Sequence, residues 1–232
     1  VGRVLDPAGG SWYVESLTDS LARAAWDLFT EIERAGGLAA ALSSGLVAAR
    51  IGAAWEERSK RLARRTDAVT GVSEFPNLLE SLPSRQPAAA PPSGGLPRVR
   101  AAQEFEALRD AADAADRRPS VYLATLGPVA RHTARATFAA SLFQAGGLAT
   151  PAADGASGLA AAGTSVACIC GTDTDYADAA SLVEELRAAG AGQVWLAGKP
   201  SLGVDEVDGY VYAGCDALAV LRRVHETLGV QQ

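Results

Sequence analysis

From Ser120 onward, two hydrophobic periods alternate along the chain. Val121–Leu126 is an unbroken apolar run, short enough for a buried strand, and it stops at Gly127-Pro128. Residues 129–145 then set Ala136, Ala139, Ala140 and Phe143 at helical spacing, and Gly146-Gly147 ends that helix as a C-cap pair. The same alternation continues to the end of the chain. Strands are expected at Val121–Leu126, near Leu148–Thr150, and at Ser165–Cys170, Gln193–Ala197 and Tyr210–Tyr212. Helices are expected at about 129–145, 156–162, 175–189 and 216–228. Strand followed by helix, repeated, predicts an α/β domain with a five-stranded parallel sheet, covered on both faces and flavodoxin-like.

The first half reads differently. An extended Val-Gly-Arg-Val-Leu piece and a turn at Asp6–Gly10 precede a helix, capped by Ser16 or Thr18. Its apolar face carries Leu17, Leu21, Ala25, Leu28 and Ile32, and Gly36-Gly37 closes it. A short helix to Gly45 and a longer one over 46–65 follow, the latter ending in Arg58, Lys60, Arg61, Arg64 and Arg65. That basic run is expected to be a solvated helix face, with cations favoured near the helix C-terminus. Three helices of this length cannot close a core, so their apolar faces are expected to pack on upstream sequence, another subunit or both. Residues 82–97, with five prolines and no helical period, read as a linker, and a charged helix over 101–116 leads into the α/β domain.

Composition narrows the chemistry. A net charge of −6 and a pI near 5.0 argue against a nucleic-acid partner. No apolar run approaches the roughly 18 residues of a membrane span, and no signal peptide is visible. The chain has no methionine and begins at Val1, which is expected of a piece of something longer. Cys168 and Cys170 are expected on opposite faces of one strand; with Cys215 isolated, no zinc spacing exists, and all three read as core thiols in a reducing cytoplasm. His132, in the turn where parallel sheets place ligands, is expected at a helix start, hydrogen-bonded or facing solvent. His225 is expected on the surface of the last helix. Asp173 and Asp175 lack the acidic partners of a phosphate-accepting receiver, Gly155–Gly158 is not a dinucleotide fingerprint, and no Ser-His-Asp set is legible.

Two stretches carry a specific likeness. DPAGGSWYVESLT (6–18) and GVSEFPNLLE (71–80) resemble the end of the substrate barrel of the methylmalonyl-CoA mutase family and the segment leading out of it. The resemblance implies that 1–81 is the end of an acyl-CoA barrel domain with following helices, 82–100 a Pro-rich linker, and 101–232 a cobalamin-binding-like domain. The family's Asp-x-His-x-x-Gly, whose His ligates cobalt from below, falls on Ala130–Arg135: His132 is kept, the Asp is Ala130, and the Gly is Arg135. Its Ser-x-Leu falls on Cys170-Gly171-Thr172 and its Gly-Gly on Gly198-Lys199, with Trp195 adding bulk nearby. This pattern resembles the small, non-catalytic subunit of two-subunit members, with no catalytic, cofactor-binding or metal residue of its own. The resemblance then implies a cytoplasmic heterodimer with a large subunit, which binds adenosylcobalamin and interconverts methylmalonyl-CoA and succinyl-CoA. The alternative is a cobalamin-binding subunit with His132 as lower cobalt ligand.

Overall fold

The computed structural model describes residues 2–81, 83–86, 89 and 95–230, so much of the expected linker lies outside the described residues. The chain divides into two compact units, residues 1–56 and 57–232. In the first, α1 (Trp12–Arg34), α2 (Leu38–Ser43) and the start of α3 (Leu46–Ala63) follow one another. Residues 2–5 form a turn and a bend rather than the expected extended piece, and the expected turn at Asp6–Gly10 follows. Helix α1 starts at Trp12, ahead of the expected caps, and the Thr18 hydroxyl donates back to the Val14 carbonyl inside the helix (2.8 Å) instead of capping it. Among the described residues of this unit only Ala41 is buried, whereas Trp12 (85%), Trp26 (64%) and Leu21 (63%) are largely exposed. The amphipathic pattern formed its helices without finding a core.

The second unit holds α4 (Gln103–Asp113) and then the alternation β1 (Tyr122–Thr125), α5 (Val129–Ala145), β2 (Ala152–Asp154), α6 (Leu159–Ala162), β3 (Val166–Cys170), α7 (Ala179–Ala188), β4 (Gln193–Ala197), β5 (Gly209–Val211) and α8 (Ala217–Thr227). All strands are parallel, in the order β2-β1-β3-β4-β5, with Leu123 opposite Cys168 and Cys168 opposite Trp195. That is the flavodoxin-like order expected from the sequence. Strand β2 lies further along than Leu148–Thr150. The chain joins β1 at Ala149, whose carbonyl accepts from Val121 N–H, but Pro151 has no N–H to donate and the regular ladder starts only at Ala152. A 3₁₀ turn at Asp175–Asp178 replaces the first turn of the helix expected there.

The sheet separates two cores. On one face Leu123, Val166, Cys168, Cys170 and Trp195 pack with α4, α5 and α8; on the other Tyr122, Ala167, Ile169 and Leu196 pack with α6 and α7. Cys168 and Cys170 therefore share a face, contrary to expectation, because residues two apart in a strand point the same way. All three cysteines are free and buried. His225 is another correction: it is fully buried, with Nε2 2.9 Å from the carbonyl oxygen of Gly146. It lies four residues after Leu221 and seven after Leu218, both core residues of α8, so helical period alone carries it inward.

Residues 57–81 pack with the α/β unit. Arg109 donates to the carbonyls of Gly71 (3.3 Å) and Asn77 (2.8 Å). Arg65, expected on a solvated face, is instead turned inward just past the end of α3 at φ +59°, and its side chain is only 7% exposed. Nη2 donates to Glu74 (2.8 Å) and Ser141 (3.0 Å), and the guanidinium lies 5.6 Å from the Phe138 ring centre.

Candidate functional site

In a sheet of this order the crevice opens beyond the strand C-termini, where the connections from β1 and β3 diverge to opposite faces. Gly127 makes the first turn at φ +73°, and Pro128 leads into α5 with its fixed φ of −66°. His132 sits in the first turns of that helix. Its Nδ1–H donates to the carbonyl of Gly127 (3.1 Å), which leaves Nε2 for another partner. Ala130 is exposed and offers no carboxylate to the imidazole.

Two arginines of α5 cross this crevice. Arg131 reaches the connection after β3 and donates to Thr174 (2.8 Å) and Thr172 (3.2 Å), while pairing with Asp175 (2.6 Å). Asp175 in turn accepts from the hydroxyl (2.6 Å) and N–H (2.7 Å) of Thr172. Those bonds, with the two arginines adding to them, hold its carboxyl below the usual carboxylate value. One turn on, Arg135 pairs with Asp173 and lays its guanidinium 5.1 Å from the centre of the Tyr176 ring. Tyr176 is a buried keystone: its hydroxyl accepts from Gly171 N–H (2.9 Å) and donates to the Ala197 carbonyl (2.7 Å). Burial pushes its phenol up to about 12. The segment Cys170-Gly171-Thr172 is thus committed to Tyr176, Asp175 and Arg131.

Beside this closed crevice, at the ends of β4 and β5, a cavity of about 410 Å³ is lined by Arg135, Phe138, Lys199 and Ser201. Arg135 Nη1 is buried there without a hydrogen-bond partner. A Cβ built on Gly198 would stand 3.4 Å from Arg135 and 2.4 Å from Leu202, so the backbone passes close to both. A smaller cavity of about 90 Å³ adjoins it, sharing Phe138, Tyr212 and Ala213 and lined further by Arg64, Arg65 and Cys215. Arg65 Nε and Nη1 are also buried without a partner.

The structure thus gathers His132, Arg135, Asp173, Asp175 and Lys199 at one end of the sheet. It leaves out two expected neighbours. Trp195 points to the α8 face, where its ring fills the space beside Gly209 and its Nε1–H donates to Gln193 (2.9 Å), so it lines neither cavity. His225 is fully buried and lines neither cavity. Arg65 and Tyr176 are the functional-site residues that sequence reasoning passed over. Only the left-handed turn after α3 could have signalled the first, and it has no glycine to mark it. Among the described residues no group of three or more His, Cys, Asp or Glu could hold a metal ion. No helix among them is long and apolar enough to cross a membrane.

Comparison with known proteins gives this geometry its context. The methylmalonyl-CoA mutase family model matches residues 1–145. The methylmalonyl-CoA mutase small subunit of Streptomyces virginiae is 53% identical over 99% of this chain and 39% of its own length. The probable small subunit of Mycobacterium tuberculosis H37Rv is 45% identical over 85% of the chain and 33% of its own. The small subunit of Propionibacterium freudenreichii subsp. shermanii is 36% identical over 99% and 38%. The chain spans about two fifths or less of the length of these relatives. With the family model covering more than half of its residues, the chain belongs to the methylmalonyl-CoA mutase family.

Proposed function

We propose that this chain is part of the small, non-catalytic subunit of an adenosylcobalamin-dependent methylmalonyl-CoA mutase. It serves as a scaffold for a large subunit that converts methylmalonyl-CoA and succinyl-CoA into one another in the cytoplasm. Residues 1–81 are the end of its barrel domain with the helices that follow, 82–100 its linker, and 101–232 a cobalamin-binding-like domain whose cofactor site has been given up. When bound in the large subunit, adenosylcobalamin supplies the radical chemistry. This chain's own residues supply burial and rigidity.

The observation that carries this reading is the crossing of the crevice by Arg131 and Arg135. A corrin needs a lower ligand held by a carboxylate, a close-passing backbone, and an open slot for its nucleotide tail. Here Ala130 supplies no carboxylate, Arg135 puts a large cation where small is needed, and Arg131, Thr172 and Asp175 are bonded across the slot. The residues present do not fit the group. Displacing the two arginines to admit it would leave Asp175 and Asp173 without their cations, at a cost that binding would have to offset.

One observation favours the alternative, His132 as lower cobalt ligand. Its Nδ1–H is held by the Gly127 carbonyl, and a backbone carbonyl can orient a metal-binding imidazole in place of a carboxylate. An absorbance scan of the full-length protein with adenosylcobalamin separates the two. An unchanged cofactor spectrum supports the scaffold. A base-off, His-on spectrum that disappears in His132→Ala overturns it.

A further inference from the structure

We propose that the paired cavities at the ends of β4 and β5 form a binding site for a small organic phosphate, a use that the site acquires on the reading that it no longer takes a corrin.

The first argument is unspent hydrogen-bonding capacity. Arg65 has a side chain 93% removed from solvent, yet its Nε and Nη1 have no partner, and both belong to a group lining the smaller cavity. Arg135 Nη1 is likewise buried and unpaired at the larger one. Buried guanidinium donors without acceptors are rare, because desolvation of a cation is costly unless something replaces the water. The acceptors already present, Glu74 and Ser141 on Arg65 and Asp173 on Arg135, leave these particular N–H groups unpaired inside residues that line the two cavities, so a ligand reaches them only if the side chains shift.

Charge comes second. The two cavities are lined by Arg64, Arg65, Arg135 and Lys199 against Glu74 and Asp173, four cations to two anions. A net of +2 in a chain whose formal net charge is −6 is a local reversal of sign. A phosphate monoester carries about −1.5 to −2 near neutrality and presents three terminal oxygens, which matches the charge of this lining better than a single carboxylate does. Ser201 adds a hydroxyl at the same wall.

The shape of the larger cavity argues for an organic body on the phosphate. Phe138, Leu202, Val211 and Tyr212 give it apolar walls, and its volume of about 410 Å³ is in the range of small-molecule sites. Phe138 lies between Arg65, stacked on its ring, and the space reached by Arg135. An aryl or similarly apolar group would lie against these walls, with the phosphate drawn to the arginines.

Calorimetric titration of the full-length protein in its assembled state tests this, with phenyl phosphate, inorganic phosphate and benzoate as probes and no cobalamin present. Saturable binding of phenyl phosphate at millimolar concentration or below is expected, tighter than inorganic phosphate and tighter than benzoate. Arg135→Gln and Lys199→Gln should each weaken it about tenfold or more, as loss of a charge-assisted hydrogen bond does, while Arg135→Lys retains most of it. Lys199 is exposed, so its variant folds even if Arg135→Gln does not, and it decides alone in that event. Absence of saturable binding, binding that both Gln variants leave unchanged, or benzoate binding as tightly as phenyl phosphate would overturn the assignment. Because no cobalamin enters the titration, such a failure leaves the scaffold reading standing, and a His-on spectrum in the separate absorbance scan would strike that reading instead.

Discussion

At the scale of single residues, the two buried polar side chains with the most definite consequences are Tyr176 and His225. Tyr176 joins the loop after β3 to the end of β4 through one hydroxyl that both accepts and donates. Tyr176→Phe leaves the Gly171 N–H and the Ala197 carbonyl without that partner. A loss of about 1–3 kcal/mol in a urea-unfolding series is therefore expected. The native hydroxyl also makes stability fall in alkali. An unfolded chain releases the phenolic proton near 10 and the folded one only near 12, so the loss begins above pH 10 and is complete as pH passes through 12. His225 works at the other end of the scale. Burial lowers its pKa from 6.5, since the charged imidazole is penalised inside α8's core face. The unfolded state then binds the proton first, and stability that is fully present above pH 6.5 is lost progressively as pH falls below it. Melting temperatures measured between pH 7 and 5 should slope downward in the native protein and flatten in His225→Gln.

Elements were more legible than their contacts. Helix α5 matches its expected bounds, and β4 does too, because each is a long or purely apolar stretch bounded by strong breakers: Gly127-Pro128 and Gly146-Gly147 for the first, Gly192 and Gly198 for the second. Strand β2 was misplaced because Ala152-Ala153-Asp154 is an exposed edge with no apolar signature, and Pro151 shifts where its ladder can begin. The site divides along the same line. The sequence positions of His132, Arg135 and Lys199 already placed them at strand ends, whereas Arg131's reach across to Asp175 depends on a pairing between loops 41 to 44 residues apart that no local pattern records. Helix α1 is the case where the element was readable and its partner absent. It shows Leu17, Leu21, Trp26, Leu28 and Phe29 to solvent, more contiguous apolar surface than a free helix usually keeps. On the scaffold proposal, hydrogen exchange should find its amides fast in this chain alone and protected once the proposed large subunit is bound. Trp26→Ala should change the chain's own stability by no more than about 0.5 kcal/mol, as exposed sites do, while weakening association with the proposed large subunit. Protection of α1 in the isolated chain would contradict this.

For the molecule as a whole, the scaffold proposal raises the question whether one substitution or several together would keep a corrin out. The bonding around the crevice argues for several. Arg135 is paired with Asp173 and stacked on Tyr176; Arg131 is tied to Thr172, Thr174 and Asp175; Tyr176 secures the end of β4. These groups share partners, so their contributions should not add independently. Restoring the family's residues at these positions, as Ala130→Asp with Arg135→Gly and Lys199→Gly, gives His132 a carboxylate and clears two cations from the cleft. It does not open the slot between β1 and β3, where Arg131 and Asp175 remain bonded at 2.6 Å. The triple variant is therefore expected to leave the adenosylcobalamin spectrum unchanged. Adding Arg131→Ala removes the cross-link and leaves a carboxylate beside Thr172 that no longer bars the cleft. Only this fourfold variant should shift the cofactor to a base-off, His-on spectrum, and the shift should vanish when His132→Ala is added. If the triple variant already binds, the arginine bridge is not a barrier, and loss of the site reduces to the missing carboxylate and glycines.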